Sequence, residues 1–122
     1  MRPPDRTIVL QDVAVAATNI AVGFVLMTTT GVATELWWVG VAAAAVFAAL
    51  TMASDRSRKG VWLLGASGAA LIVAIAAGLF TDTVPFSVLP ILLVGLGVGF
   101  LCVRVAFGVL RPIPEVRRRR AE

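Results

Sequence analysis

Two charged side chains lie inside otherwise apolar stretches of this chain, one near each terminus. Asp12 lies about one helical turn inside the start of the first stretch, and Arg104 lies at a similar depth inside the end of the last. An unpaired charge in hydrocarbon costs about 2.5–3.5 kcal/mol on insertion scales, and pairing or reaching toward water lowers that cost. We expect two interfacial charges that reach water separately. A structural ion pair and an ion or proton site are the alternatives.

Further polar side chains accompany Asp12 at helical spacing. Gln11, Asp12, Thr18 and Asn19 fall near one side of a helix drawn through the first apolar stretch. An amide among apolar residues needs a hydrogen-bond partner, and such bonds between membrane helices average about 0.6 kcal/mol net. We predict that this polar stripe of Gln11, Asp12 and Asn19 joins the first helix to other helices, and the alternative is that it lines a water path.

The chain has few other groups that could support catalysis or ligand binding. It has no histidine and a single cysteine, Cys102, which lies in an apolar run and is expected to be a packing residue. The sequence contains no glycine-rich phosphate loop, no metal-ligand spacing and no nucleophile with a base. We therefore expect no enzymatic activity, no cofactor and no metal site.

Four long apolar stretches must position these side chains. The chain has 122 residues, of which 59% are hydrophobic and 15% charged, and its mean hydropathy is +0.94. A soluble domain has about 25% charged residues, and a helix of about 20 residues crosses a hydrocarbon core of about 30 Å. The sequence predicts an all-α, integral membrane, four-helix up-down bundle that forms one domain over 1–111, followed by a basic tail over 112–122. The predicted spans are approximately 8–29, 36–53, 61–80 and 86–108.

The basic residues predict the orientation of these spans. All eleven Lys and Arg residues precede the first span, lie between the second and third, or lie at or after the inner end of the fourth. The other two loops carry only acidic charges, Glu35 and Asp82. The positive-inside rule therefore predicts that both termini are cytoplasmic. The short loops predict that spans adjacent in sequence pack antiparallel.

The net charge of +4 is explained by the Lys and Arg residues that the positive-inside rule places on the cytoplasmic side. We therefore expect no nucleic-acid partner. The expected surroundings are a lipid bilayer with anionic headgroups on its cytoplasmic side. The location predicted from this is the cell (plasma) membrane. A composition rich in Ala, Val, Gly and Arg, with a single Lys, favours a prokaryotic source.

Small residues are predicted to mark helix-packing positions. Gly95 and Gly99 form a GxxxG pattern in the fourth span, and Gly65 and Gly68 lie in the third. Lipid gives helices no hydrophobic drive to associate, so close backbone approach at small residues has to stabilise their packing. We expect these glycines to pack inside one bundle. An interface with a second chain is the alternative.

The basic tail ends in four consecutive arginines, Arg117, Arg118, Arg119 and Arg120. We expect them to be solvated and to face anionic lipid, where each contributes about 1 kcal/mol. The prolines at 112 and 114 are expected to hold the run away from the end of the fourth helix. Docking of an acidic partner is the alternative.

Two functions agree with these features. We favour a small non-catalytic membrane protein, an accessory, assembly or structural component of a membrane complex, because polar groups that would mark an ion pathway are few. Its partners would be another membrane protein or further copies of itself. The alternative is an oligomeric small transporter, channel or holin-like pore former that uses the polar stripe on the first helix.

Overall fold

The computed structural model describes residues 3–121 of the chain, and these residues form helices, short turns and loops without any strand. Arg2, one of the cations behind the predicted orientation, and Glu122, the last residue of the predicted tail, lie outside the described residues. Single-turn 3-10 helices precede α2 and α4, and a π-helical turn at Ala106–Leu110 follows α4. The helices are α1 (Pro3–Thr30), α2 (Trp37–Arg56), α3 (Arg58–Phe80), α4 (Leu89–Val105) and α5 (Glu115–Ala121).

Four apolar elements of the described residues are long and apolar enough to cross a membrane, and with the absence of strands there this confirms the all-α fold class. Each predicted span lies within one of them. The apolar elements extend over Asp5–Thr30, Thr34–Arg56, Arg58–Phe80 and Phe86–Leu110.

Tight connections bring the helix ends together. Ser57 alone separates α2 from α3, and its hydroxyl caps α3 by accepting a hydrogen bond from the Gly60 N–H at 2.9 Å. Gly60 lies directly against the Ala53 carbonyl, where a Cβ atom would not fit. At the other end of the molecule, Gly31 ends α1 in the left-handed conformation, with φ of 72°.

Helix α4 occupies the centre of the molecule, with α1 and α2 packed on its two sides. Gly95 approaches the backbone of α2 so closely that a Cβ atom there would lie 2.5 Å from the Gly40 carbonyl oxygen. Gly97 faces α1, where a Cβ atom would lie 2.8 Å from the Ala16 carbonyl oxygen. Glycines on both sides therefore allow α4 to pack between two helices.

The sequence left the order of the helices open and predicted only that neighbours in sequence are antiparallel. In the structure α1 and α2 make their largest contacts with α4. Gly95, Gly97 and Gly99 let α1 and α2 come close to the backbone of α4, so these two helices approach α4 more closely than they approach each other. Helix α3 packs on α2, which gives the order α1, α4, α2, α3.

Helix α3 is the peripheral member of this arrangement. None of the residues in its most apolar stretch of 18 is buried, although this stretch has a mean hydropathy of 2.2. Trp62, Ile72 and Val73 each expose about 70% of their surface, at 73%, 70% and 68%. The helix is thus held to the rest of the chain mainly along its contact with α2.

Candidate functional site

The start of α1 and the ends of α2 and α4 meet at one end of the molecule, called here the arginine end. Asp12, Asp55 and Arg104 lie there, and all three are buried. The Nε atom of Arg104 lies 2.7 Å from Oδ2 of Asp12. Its Nη2 atom donates to both carboxylate oxygens of Asp55, at 2.9 and 3.1 Å. One guanidinium therefore connects three helices.

Arg117 from α5 completes this group, which we call the arginine network (Asp12, Asp55, Arg104 and Arg117). Its Nη2 atom lies 3.8 Å from Oδ1 of Asp12, and its Nε atom lies 3.7 Å from Oδ1 of Asp55. Two carboxylates then face two guanidinium groups, so the formal charges cancel. This cancellation lowers the cost of holding charges in a poorly hydrated place.

The two carboxylates bind Arg104 in different ways. Asp55 accepts two hydrogen bonds, whereas the short contact with Asp12 lacks hydrogen-bond geometry and is an ion pair only. Within residues 3–121, Nη1 of Arg104 has no hydrogen-bond partner. Asp55 therefore fixes the orientation of the guanidinium, and Asp12 mainly balances its charge.

The structure brings Asp12 and Arg104 together rather than letting each reach water separately. Arg104 has 1% of its surface exposed, so it does not extend to solvent. The reason is that Asp55 supplies a second carboxylate, and two carboxylates stabilise a buried guanidinium better than one.

Sequence reasoning missed Asp55. It belongs to the run Ser54–Gly60, which reads as a polar, basic turn. In the structure α2 continues to Arg56, so Asp55 is a helical residue that points into the molecule. The available signal was that Asp55 is the only acidic residue in that run.

The basic tail packs on the body of the protein instead of standing away from it. Pro112 and Pro114 interrupt the helix and reverse the chain, so that α5 lies against α1 and α2 and Ile113 is buried. Arg118 donates from Nε and Nη2 to the Asp5 carboxylate, at 2.7 and 3.0 Å. The expectation of a free tail over the whole run was therefore wrong, because Asp5, Asp12 and Asp55 attract it.

The other two arginines of the run, Arg119 and Arg120, make different contacts. Arg120 donates a short hydrogen bond to the Ser54 carbonyl at the end of α2. Arg119 pairs with Glu115 one turn earlier in α5, at 2.5 Å, and leaves 74% of its side chain exposed. Of the arginines at 117–120, Arg119 and Arg120 are exposed and match the predicted solvated surface, although Arg120 also contacts the end of α2.

The π-helical turn after α4 lies beside the arginine network. Phe107 has φ of −113° and ψ of 46°, which breaks the helical path of the chain there. The Arg56 guanidinium lies over the Phe107 ring, 5.5 Å from its centroid, a cation–π geometry. Turns of this type often occur at functional sites, and this one forms the end of the fourth apolar element, just before the tail.

The predicted polar stripe does not converge on another helix. Thr18 donates to the Ala14 carbonyl at 2.8 Å, and Asn19 donates to the Val15 carbonyl at 3.1 Å, both within α1. Gln11 is exposed. Hydrogen bonds to the preceding turn satisfy these groups locally, so they do not need partners on other helices. Of the stripe, only Asp12 joins α1 to other helices.

The predicted packing glycines divide into two groups. A Cβ atom at Gly95 or Gly99 would collide with backbone atoms of α2. At Gly65 and Gly68 it would meet no atom of the described residues within 4 Å, apart from the backbone of α3 itself. Gly65 and Gly68 therefore do not make the predicted close contact within one chain, because α3 is displaced from the centre.

Among residues 3–121, no group of three or more His, Cys, Asp or Glu side chains could hold a metal ion. The arginine network itself supplies charge balance and cross-linking between helices. The chain matches no protein-family model, no curated protein and no solved structure.

Proposed function

We propose that this chain is a small, non-catalytic component of a membrane complex and that α3 is the part that binds the complex. In this proposal the chain spans the plasma membrane of a prokaryotic cell four times. The arginine end faces the cytoplasm, so both termini are cytoplasmic. The one-sided distribution of Lys and Arg supports this orientation.

The observation that carries the proposal is the contrast between the glycines of α3 and those of α4. Close backbone contact stabilises helix association in lipid, and the α4 glycines make such contacts within the chain. Gly65 and Gly68 provide the same kind of surface with nothing packed on it. A helix of another membrane protein would fit against this open surface.

The arrangement of polar groups supports a structural role. The buried charges at the arginine end are used to join α1, α2, α4 and α5. A transporter, channel or pore needs polar groups that converge along a path. Gln11, Thr18 and Asn19 are instead exposed or bonded within α1, so this alternative has less support.

Native mass spectrometry after gentle extraction from the source membrane tests the proposal. We expect the wild-type chain to be recovered with a different membrane protein. The Gly65→Leu variant should lose that protein at least fivefold, because a larger side chain prevents close approach. Its own free energy of unfolding should not fall, since a Cβ atom at this position meets no other part of the chain and leucine favours a helix more than glycine does.

The matched control is Ala21→Leu, which adds the same side chain at an exposed small residue of α1. This variant should keep the partner. Recovery of the wild-type chain alone or only with copies of itself would overturn the proposal. Equal loss of the partner in both variants would remove α3 as the binding surface.

A further inference from the structure

A groove of about 670 Å³ lies at the arginine end, between the π-helical turn and the folded-back tail. It is separate from the arginine network and none of its lining residues belongs to that network. Among the residues that line it are Asp5, Gly108, Val109, Leu110, Arg111 and Arg118.

The groove carries an uncompensated positive charge. Arg118 is neutralised by its two hydrogen bonds to Asp5. Arg111 is exposed and forms no ion pair with any residue from 3 to 121. The three charged side chains of the groove, Asp5, Arg111 and Arg118, therefore have a combined formal charge of +1, and Arg111 is its source.

One wall of the groove is apolar and open. Leu110 exposes 77% of its surface and Val109 exposes 59%. The apolar element that contains α4 ends at Leu110, and Arg111 is the next residue. The groove therefore has its apolar wall where hydrocarbon would end and its free guanidinium where lipid headgroups would begin.

We infer that this groove binds an anionic phospholipid, with the headgroup phosphate on Arg111 and an acyl chain along Val109 and Leu110. A headgroup with a charge of −1 neutralises the groove, whereas a zwitterionic headgroup leaves its +1 charge in place. The inference rests on the membrane location in the proposed function and not on binding by α3.

The apolar wall distinguishes a lipid from a free phosphate as the source of the anion. A soluble phosphate compound would leave Val109 and Leu110 uncovered, whereas a lipid covers both parts of the groove. Guanidinium groups bind phosphate through paired N–H donors, so the role of Arg111 depends on its charge and shape together.

Lipid binding to the purified full-length chain in detergent micelles tests the inference. Native mass spectrometry would compare phosphatidylglycerol with phosphatidylcholine, and glycerol 3-phosphate would be added as a competitor without acyl chains. We expect tighter binding of phosphatidylglycerol and about a fivefold loss of it in Arg111→Gln, the effect of one arginine near an anionic surface. Glycerol 3-phosphate should not displace it at equal concentration.

The matched control is Arg119→Gln, which removes an exposed charge from the same end of the molecule outside the groove. It should lower binding less than twofold. Equal effects of the two variants, or equal binding of the two lipids, would overturn the inference. Displacement by glycerol 3-phosphate would assign the groove to a soluble phosphate. Circular dichroism checks that Arg111→Gln is folded, and the Gly65→Leu experiment decides the proposed function independently.

Discussion

Helices α4 and α3 are the two most apolar elements of the chain, yet they lie in opposite surroundings. The most apolar stretch of 18 residues has a mean hydropathy of 2.5 in the element that contains α4 and of 2.2 in α3. In the first stretch 33% of the residues are buried, and in the second none is buried. Apolar composition makes a helix compatible with lipid and does not say which helix will be central. That choice depends on where small residues and charges lie.

The two helices also use glycine differently. The glycines of α4 contact α1 on one side and α2 on the other, so the backbones approach closely. Those in the middle of α3 meet open space. In addition, α4 carries Arg104, which pairs with carboxylates on both of its neighbours. Helix α4 is thus fixed by shape and by charge, whereas the middle of α3 is fixed by neither.

Replacing Arg104 should give the largest effect. The Arg104→Gln variant leaves Asp12 and Asp55 buried without this guanidinium, and we expect a loss of about 3–5 kcal/mol in the free energy of unfolding. The matched change on α3 is Arg58→Gln, at an exposed residue, which should cost less than about 0.5 kcal/mol. Denaturant titration in micelles, followed by circular dichroism, measures both. Similar losses in the two variants would contradict the assigned role of Arg104.

A single added methyl group tests the contrast in shape. Gly95→Ala places a Cβ atom against the Gly40 carbonyl, and we expect it to destabilise the chain by about 1–3 kcal/mol. Gly65→Ala adds the same atom in open space on α3 and should be neutral or stabilise by a few tenths of a kcal/mol. The same titrations provide the comparison. If Gly65→Ala cost as much as Gly95→Ala, α3 would have to pack as closely as α4.

The tail should show the same contrast between a residue that joins two helices and one that does not, with smaller losses of stability. Arg118→Gln removes the paired hydrogen bonds to Asp5 and should weaken docking of α5 by about 1 kcal/mol. Arg119→Gln removes an exposed pair within α5 and should cost about 0.3–0.5 kcal/mol. Hydrogen exchange of the α5 amides measures docking locally. Equal loss of protection in the two variants would show that the Asp5 contact does not hold the tail.

The sequence predicted the elements of the fold better than their arrangement. Hydropathy identifies the four apolar elements because each is a continuous run of apolar residues of sufficient length. It cannot identify the central helix, since Ala, Gly, Leu and Val occur in all four. The distinction depends on which glycines face a backbone, and that is a property of three-dimensional packing.

The candidate site was predictable in part. Similar depths of Asp12 and Arg104 made a pair possible, but the decisive residue was Asp55. Asp55 is helical because α2 extends into a run that looks like a turn in the sequence. The Ser57 cap at the start of α3 and the contact of Asp55 with Arg104 determine how far α2 extends. The docking of α5 depends on the carboxylates of Asp5, Asp12 and Asp55, which lie on other helices. The sequence of the tail alone therefore predicts a solvated segment.

The position of Arg104 along the chain has a consequence for biosynthesis. Asp55 precedes its guanidinium partner by 49 residues, and Asp12 precedes it by more. Ribosomes release the amino-terminal part first, so both carboxylates emerge before the arginine that neutralises them. A nascent chain holding only α1, α2 and α3 carries two acids without their partner, and α4 and the tail supply the missing cations last. Charge neutralisation at the arginine end thus has to wait until α4 and the tail have been made.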